Sequence, residues 1–468
     1  MVTGLKKYIG DKKFYKMVLT VALPIMIQNG ISNFVNLLDN IMVGRLGTEA
    51  MSGVNIVNQF LYVFNLIIFG AISSAGIFTA QYHGNKDTEG EKYTFRFKMI
   101  IALLMGIVGI LAFYFFDSEF ISLFLHDGSA EGDLALTLEY GKEYLGVMLI
   151  GLVPFAISQV YASTLRETEE TILPMISGMI AVAVNLVFNY VFIFGHFGVP
   201  ALGVKGAAIA TVISRFVELI ILVVWTHTHK EKCGFIVGVY RSLYMPKTLI
   251  MQIVIRGLPL MVNEFLWSFS VTFTNQCYSL RGIEVVAALN IATTISNVFG
   301  IVYISLGTSI AIVVGNLLGA GKTEEAKDTD RKMIAFSIFC SVVVAVLLVC
   351  FSSLFPMAYN TTETAKKIAT YMIIVTSLVM PVDAFANAAY FTLRSGGKVL
   401  VTMLFDSVFM WVIVVPTAFC LSRFTGMNIF GLYLACRSLE ILKAAFGAVL
   451  LKKGNWVTRL VANDKLKS

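Results

Sequence analysis

Four carboxylates fall inside long apolar runs of this chain: Asp39, Glu264, Asp383 and Asp406. An ionisable group in hydrocarbon costs roughly 2.5–3.5 kcal/mol or more, so each reads as functional by default. A carboxylate there can hold H⁺ or Na⁺ from one side of a membrane and release it on the other. Burial disfavours its charged form, so ion uptake can be tied to conformation. Asp39 lies in LPIMIQNGISNFVNLLDNIMVG (23–44), a stretch with a kink signal at Pro24 and polar groups at Gln28, Asn29 and Asn33. Asn185 and Asn189, spaced i,i+4, share one helix face and would supply uncharged oxygens beside Asp39, with Thr211 a further candidate. The bland alternatives are an interfacial acid at residue 39 and interhelical hydrogen-bond glue at the asparagines. A sodium ion has two candidate places, Asp39 or the pair Glu264/Asp383.

Glu264 falls ~21 Å from the start of its run at 1.5 Å per residue, near a midplane, with no basic residue at i±4. Asp383 and Asp406 flank a shared turn, each roughly 10–15 Å deep. Facing each other, they would share a proton, as like carboxylates do; the alternative for Asp406 is a helix-packing group. Asn55, Asn58 and Gln59 occupy places equivalent to Asn290, Thr293 and Thr294, and are candidates to line a central substrate cavity. Arg166 and Arg394 read as ordinary end charges.

These groups need apolar elements to carry them. Of 468 residues, 57% are hydrophobic and only 14% charged, against about 25% in a soluble protein. Apolar windows recur at 15–43, 50–77, 98–116, 138–163, 171–195, 204–226, 250–278, 285–315, 333–355, 368–392, 399–421 and 429–451. That pattern defines an all-α polytopic membrane protein with twelve transmembrane helices; a barrel would show alternating ten-residue segments instead. The polar, basic stretch between His227 and Lys247 suggests a first lobe at 1–226, a cytoplasmic linker at 227–249 and a second lobe at 250–468.

Lys and Arg concentrate before span 1 (Lys6, Lys7, Lys12, Lys13), between spans 2–3, 6–7 and 8–9, and at the end (Lys452, Lys453, Arg459, Lys465, Lys467). The stretch Asp117 to Thr137 is acidic, with no Lys or Arg. The positive-inside rule then places both termini in the cytoplasm of a multi-pass cell-membrane protein. Much of the net charge of +7 is this bias, and nucleic acid is not an expected partner. The expected partners are the lipid bilayer and small organic molecules, and the expected state is a monomer. Six cysteines without CxxC or Cys/His spacing suggest neither a disulfide framework nor zinc.

An internal repeat is legible. Placing Pro24 on Pro259 (259 − 24 = 235) superposes Gly47 on Gly282, Glu49 on Glu284, Asn55 on Asn290, Gly84 on Gly319 and Arg96 on Arg331. Thr164-Leu165-Arg166 matches Thr392-Leu393-Arg394 at an offset of 228. An even number of spans per half gives two parallel, pseudo-symmetric six-helix lobes.

The stretches LLDNIMVGRLGTEAMSGVNI (37–56), AQYHGNKD (80–87), NYVFIFGHFGVPALGVKGAAIATVISR (189–215), GNLLGAGK (315–322) and KKGNWVTRL (452–460) resemble the multidrug and toxic compound extrusion (MATE) family. The resemblance implies a twelve-helix, two-lobe fold that exports amphipathic, often cationic organic compounds by rocking, against inward Na⁺ or H⁺. It also implies that Asp39, Glu264 and Asp383 serve as ion or substrate sites. Three places depart from the family. Glu167 to Glu170 follow Leu165-Arg166 where Gly and Asp are usual, Lys398 stands where Asp is common, and Asn189 stands where many members have Asp.

No enzyme is expected, since no GxxxxGK[ST] motif appears and the five histidines (His83, His126, His196, His227, His229) fall mostly in loops. No cofactor is expected beyond the coupling ion. The alternative function is a flippase for a lipid-linked saccharide. That would call for a strongly basic cavity, whereas the intramembrane charges read as mainly acidic.

Overall fold

The computed structural model describes residues 7–122, 134–359 and 361–461. His126, most of the acidic stretch after Asp117, and the terminal lysines Lys6, Lys465 and Lys467 lie outside the described residues. Every regular element among the described residues is helical. The long helices are α1 (Lys12–Gly44), α2 (Thr48–Gly84), α3 (Thr88–Phe115), α4 (Leu134–Glu167), α5 (Ile172–Phe194), α6 (Gly203–Thr228), α7 (Lys247–Ser279), α8 (Ile283–Gly319), α9 (Thr323–Phe351), α10 (Glu363–Ser395), α11 (Val399–Phe424) and α12 (Ile429–Lys452). Each covers one of the twelve apolar windows. The first eleven are long and apolar enough to cross a bilayer. α12 has the length, at 24 residues, but carries Arg437, Glu440 and Lys443 at its middle.

The repeat survives in the helices. The starts of α1 and α7, α2 and α8, and α3 and α9 each differ by 235 (247 − 12, 283 − 48, 323 − 88), while the ends of α4 and α10 differ by 228 (395 − 167). Gly47 and Gly282, at the equivalent turns, adopt nearly the same left-handed φ of +121° and +123°. A side chain there would be strained.

Prolines modulate the helices. Pro154 follows a 3₁₀ turn at Leu149–Gly151 in α4; its missing N–H and its ring's clash with the Ile150 carbonyl disfavour a regular α-turn. Pro416 does the same to Val412 on α11, which responds with two π-helical stretches, Leu404–Val408 and Met410–Val414. Asp87, Thr362 and Asn428 cap α3, α10 and α12 by accepting from Gly90, Ala365 and Gly431 N–H groups at 3.2, 3.2 and 2.9 Å.

The chain divides into two compact units. One comprises Ile27–Thr79 and Asp87–Ile253, as far as these residues are described. Its core sets Val57, Leu61 and Ile68 of α2 against Leu145, Met148 and Leu152 of α4 and Ala208 of α6. The 227–249 stretch is not a solvated tether. Phe235, Ile236 and Val239 are buried in the same core, and the buried Arg96 donates to the Val239 carbonyl at 2.7 Å and the Tyr244 carbonyl at 3.0 Å.

The other unit comprises the described residues of Met1–Met26, Ala80–Lys86 and Val254–Leu466. The first turns of α1 and the end of α2 thus group with the second half of the sequence, because Val18, Val21 and Ile25 pack in a core with Ile310, Val314 and Leu393. Here α2 and α8 cross at their ends through repeat-equivalent glycines. A Cβ at Gly84 would sit 1.8 Å from the Asn316 carbonyl oxygen, and one at Gly319 2.0 Å from that of Gln81. Gln81 also donates to the Ser395 carbonyl at 3.1 Å and accepts from the Leu460 N–H at 2.7 Å.

Candidate functional site

In the first unit, α1, α5 and α6 converge on Asp39. The i,i+4 spacing puts Asn185 and Asn189 on one buried face of α5, and the Asn189 amide donates to Asp39 Oδ1 at 2.6 Å. The surrounding hydrogen bonds fix the Asn185 amide with its nitrogen towards Asp39, at 3.0 and 3.1 Å from the two carboxylate oxygens, and with its oxygen accepting from Thr211 at 3.2 Å. The carboxylate is therefore held by two neutral amides. Asn189 Oδ1, buried, has no donor among the described residues. A cavity of about 330 Å³ opens beside this group. Asp39, Asn55, Asn58, Asn65, Tyr144, Asn189, Thr211 and Arg215 line it. The Tyr144 hydroxyl donates to Asn58 at 3.3 Å. Carboxylate, amide and hydroxyl oxygens are ligands a hard cation takes, and equally a seat for a proton.

Two deeper charges flank this region. Arg215 lies 4.9 Å above the Phe155 ring and donates to the Gly151 carbonyl at 3.4 Å. Arg166 is no ordinary end charge. It is half-buried, donates to Gln28 at 3.2 Å, and shares the field of Glu218 with Arg215.

In the second unit the acids are dispersed along a hydrogen-bonded chain. Glu264 accepts from the Tyr390 hydroxyl at 2.9 Å. Asn263 approaches that hydroxyl at 3.5 Å and donates to Asp406 Oδ2 at 3.1 Å, and Lys443 closes the chain on Asp406 Oδ1 at 2.7 Å. Asp383 pairs with Arg437 at 2.6 Å. The proton-sharing arrangement of Asp383 with Asp406 is thus not what the structure builds: each acid faces its own cation on α12. Nor are Glu264 and Asp383 joined by a shared partner among the hydrogen bonds described here. Arg394, expected as an end charge, is 7% exposed, and its charge acts on Glu264.

Of the cavity candidates, Asn55 and Asn58 line the first unit's cavity. Gln59, Asn290, Thr293 and Thr294 are exposed, and Thr294 spends its hydroxyl on the Asn290 carbonyl at 2.8 Å. Bases also stand among the intramembrane acids. Arg215, Arg437 and Lys443 sit inside helices, and the rule that singles out buried acids applies with equal force to buried bases.

Buried polar groups carried on long apolar helices define an integral membrane protein of the transporter class. The MatE family model matches residues 24–191 and again 259–420, starting at the two prolines 235 residues apart. The chain belongs to this family of membrane transporters and is not an enzyme. It is 24% identical over 450 residues to a probable multidrug resistance protein NorM of Thermotoga maritima, covering 95% of this chain and 94% of that one. It is 26% identical over 432 residues to a probable multidrug resistance protein YoeA of Bacillus subtilis, covering 92% and 90%. Among solved structures, a MATE protein in complex with MaL6 matches with a TM-score of 0.85 at 18% identity, covering 97% of this chain and 98% of that one. An outward-facing multidrug resistance MATE family transporter of the MOP superfamily matches at 0.83 and 19%, with the same coverage. These likenesses show the twelve-helix fold.

Proposed function

We propose that this protein is a secondary active antiporter of the cell membrane that exports amphipathic, often cationic organic compounds in exchange for H⁺ or Na⁺, by alternating access. The observation that carries the reading is Asp39, a carboxylate within a membrane helix, held among the described residues by amides beside a polar cavity. Such a group can take a small cation without first breaking an ion pair. The curated relatives' names support drug-like cargo. The positive-inside bias supports cytoplasmic termini, and a monomer is the working unit. The flippase alternative loses its attraction here, because the bases on α12 are spent on carboxylates and are not offered to a lipid phosphate.

Efflux of a cationic dye from proteoliposomes, with Na⁺ and pH gradients imposed separately, tests this reading. One of the gradients is expected to drive uphill transport, and Asp39→Asn to abolish that dependence while leaving the protein folded. Gradient-driven transport by Asp39→Asn equal to the native protein would refute the coupling role.

A further inference from the structure

α12 places a cation on each of two membrane acids, Arg437 on Asp383 and Lys443 on Asp406. Lys443 donates to Asp406 Oδ1 at 2.7 Å, with side-chain exposures of 9% and 14%. The second oxygen of Asp406 accepts from Asn263 at 3.1 Å. Asn263 cannot swing away easily, because the Ser407 hydroxyl bonds its Oδ1 at 2.6 Å and the Ser407 N–H donates to the same atom at 3.4 Å. Ser407 and Asp406 share the π-helical stretch of α11, so one local distortion fixes both. The other charges acting here are Glu440 and Asp383 on Lys443, and Arg394 and Asp406 on Glu264. Arg437 holds Asp383 at 2.6 Å.

A sodium ion, like other hard cations, needs several oxygens converging on it. At Asp406 both oxygens already face N–H donors, one of them cationic, and a second positive charge beside the ammonium would be repelled strongly in a medium of low dielectric. Counted from the helix starts, the pair has no counterpart in the first half. Aligning α11 on α5 and α12 on α6 by their first residues places Asp406 on Met179 (406 − 227) and Lys443 on Val217 (443 − 226). The repeated helix plan does not need an ion pair there.

We propose that Lys443 is the resident cation of this unit: its tethered ammonium takes the place at Asp406 that a coupling sodium ion would need. With Arg437 on Asp383, it withholds two of this unit's acids from Na⁺ while the buried Arg394 acts on Glu264, so the protein's choice of coupling ion is made at Asp39. This rests on the antiporter reading above, but its test reads ion binding and not transport.

The measurement is the thermal midpoint of purified protein in detergent, with sodium chloride replacing choline chloride at constant ionic strength. A ligand that binds the folded state raises the midpoint with its concentration. In the Asp39→Asn background no sodium-dependent rise is expected. Adding Lys443→Met should create one, and adding Asp406→Asn should remove it again. A purely structural ion pair would lower the midpoint in Lys443→Met without making it respond to sodium, and that result overturns the proposal. So does a sodium response in Asp39→Asn alone that Asp406→Asn, Asp383→Asn or Glu264→Gln removes, an arm that stands even if Lys443→Met fails to fold. Failure of the antiporter reading would appear separately, as absent gradient-driven efflux by the native protein.

Discussion

Lys98 has no exposed surface, and its ammonium is shared among Glu167, with which it makes a short ion pair, Thr164 at 3.1 Å and Ser163 at 3.4 Å. Removing one partner of such a pair strands the other charge at a cost of about 3–5 kcal/mol, whereas removing both leaves little to satisfy. Lys98→Met and Glu167→Gln are each expected to lower the thermal midpoint markedly, and the double variant to recover most of the loss. Additive losses in that double-mutant cycle would mean the two groups are satisfied by other partners. At this scale the acids were readable and their company was not. Asn185 and Asn189 were visible as a pair because an i,i+4 spacing on one helix is a local fact, whereas their meeting with Asp39 and Thr211 joins three helices. The partners of Asp383 and Asp406 lie 54 and 37 residues away in sequence. A single sequence supplies no register between α12 and its neighbours, so two carboxylates that look adjacent through a shared turn turn out to face different cations. Arg394 misled for a related reason. Its place near a helix end suggests water, but the packing of α10 against other helices decides its burial.

Glycines test the helix crossings directly. A Cβ at Gly319 would meet the Gln81 carbonyl oxygen at 2.0 Å, a backbone atom that cannot rotate away, while one at Gly30 on α1 has nothing within 4 Å. Gly319→Ala is therefore expected to destabilise by about 3 kcal/mol, the upper part of the overpacking range. Gly30→Ala should be neutral or stabilising by up to about 1 kcal/mol, through helix propensity alone. Thermal midpoints of the two variants measured side by side check this; similar values would mean that α2 and α8 do not meet as closely as described. Twelve apolar windows give twelve helices, since span length and hydropathy are set by the bilayer and can be read locally. Less visible were the internal distortions and the burial of the 227–249 stretch. Pro154 and Pro416 announce breaks, but whether a proline yields a 3₁₀ turn or a π stretch depends on what packs around it. Phe235, Ile236 and Val239 sit among polar neighbours in sequence, and their apolar contacts come from α3 and α4.

The two halves share a helix plan to the residue over their first three helices, yet they do not share a site. Asp39 maps onto Thr274 (39 + 235), whose hydroxyl is turned inward to the Ser270 carbonyl at 2.8 Å. Asn185 and Asn189 map, through the starts of α5 and α11, onto Val412 and Pro416 (185 + 227, 189 + 227). The amides that hold the acid in one half are thus an aliphatic residue and a proline in the other. The duplicated scaffold has been loaded differently on its two sides: an acid with amide partners in one unit, and two acids with tethered cations, Asp383 and Asp406, in the other. If the asymmetry is functional, the Asp39 site cannot be moved by moving its acid. The exchange Asp39→Thr/Thr274→Asp keeps composition and net charge unchanged but puts a carboxylate where the positions equivalent to Asn185 and Asn189 hold Val412 and Pro416. Its uncompensated burial should cost several kcal/mol, and gradient-driven efflux should be lost. Proteoliposome efflux and a thermal midpoint on the same preparation separate these effects. A folded exchange variant that transports like the native protein would show that the acid, and not its amide setting, is all the coupling requires.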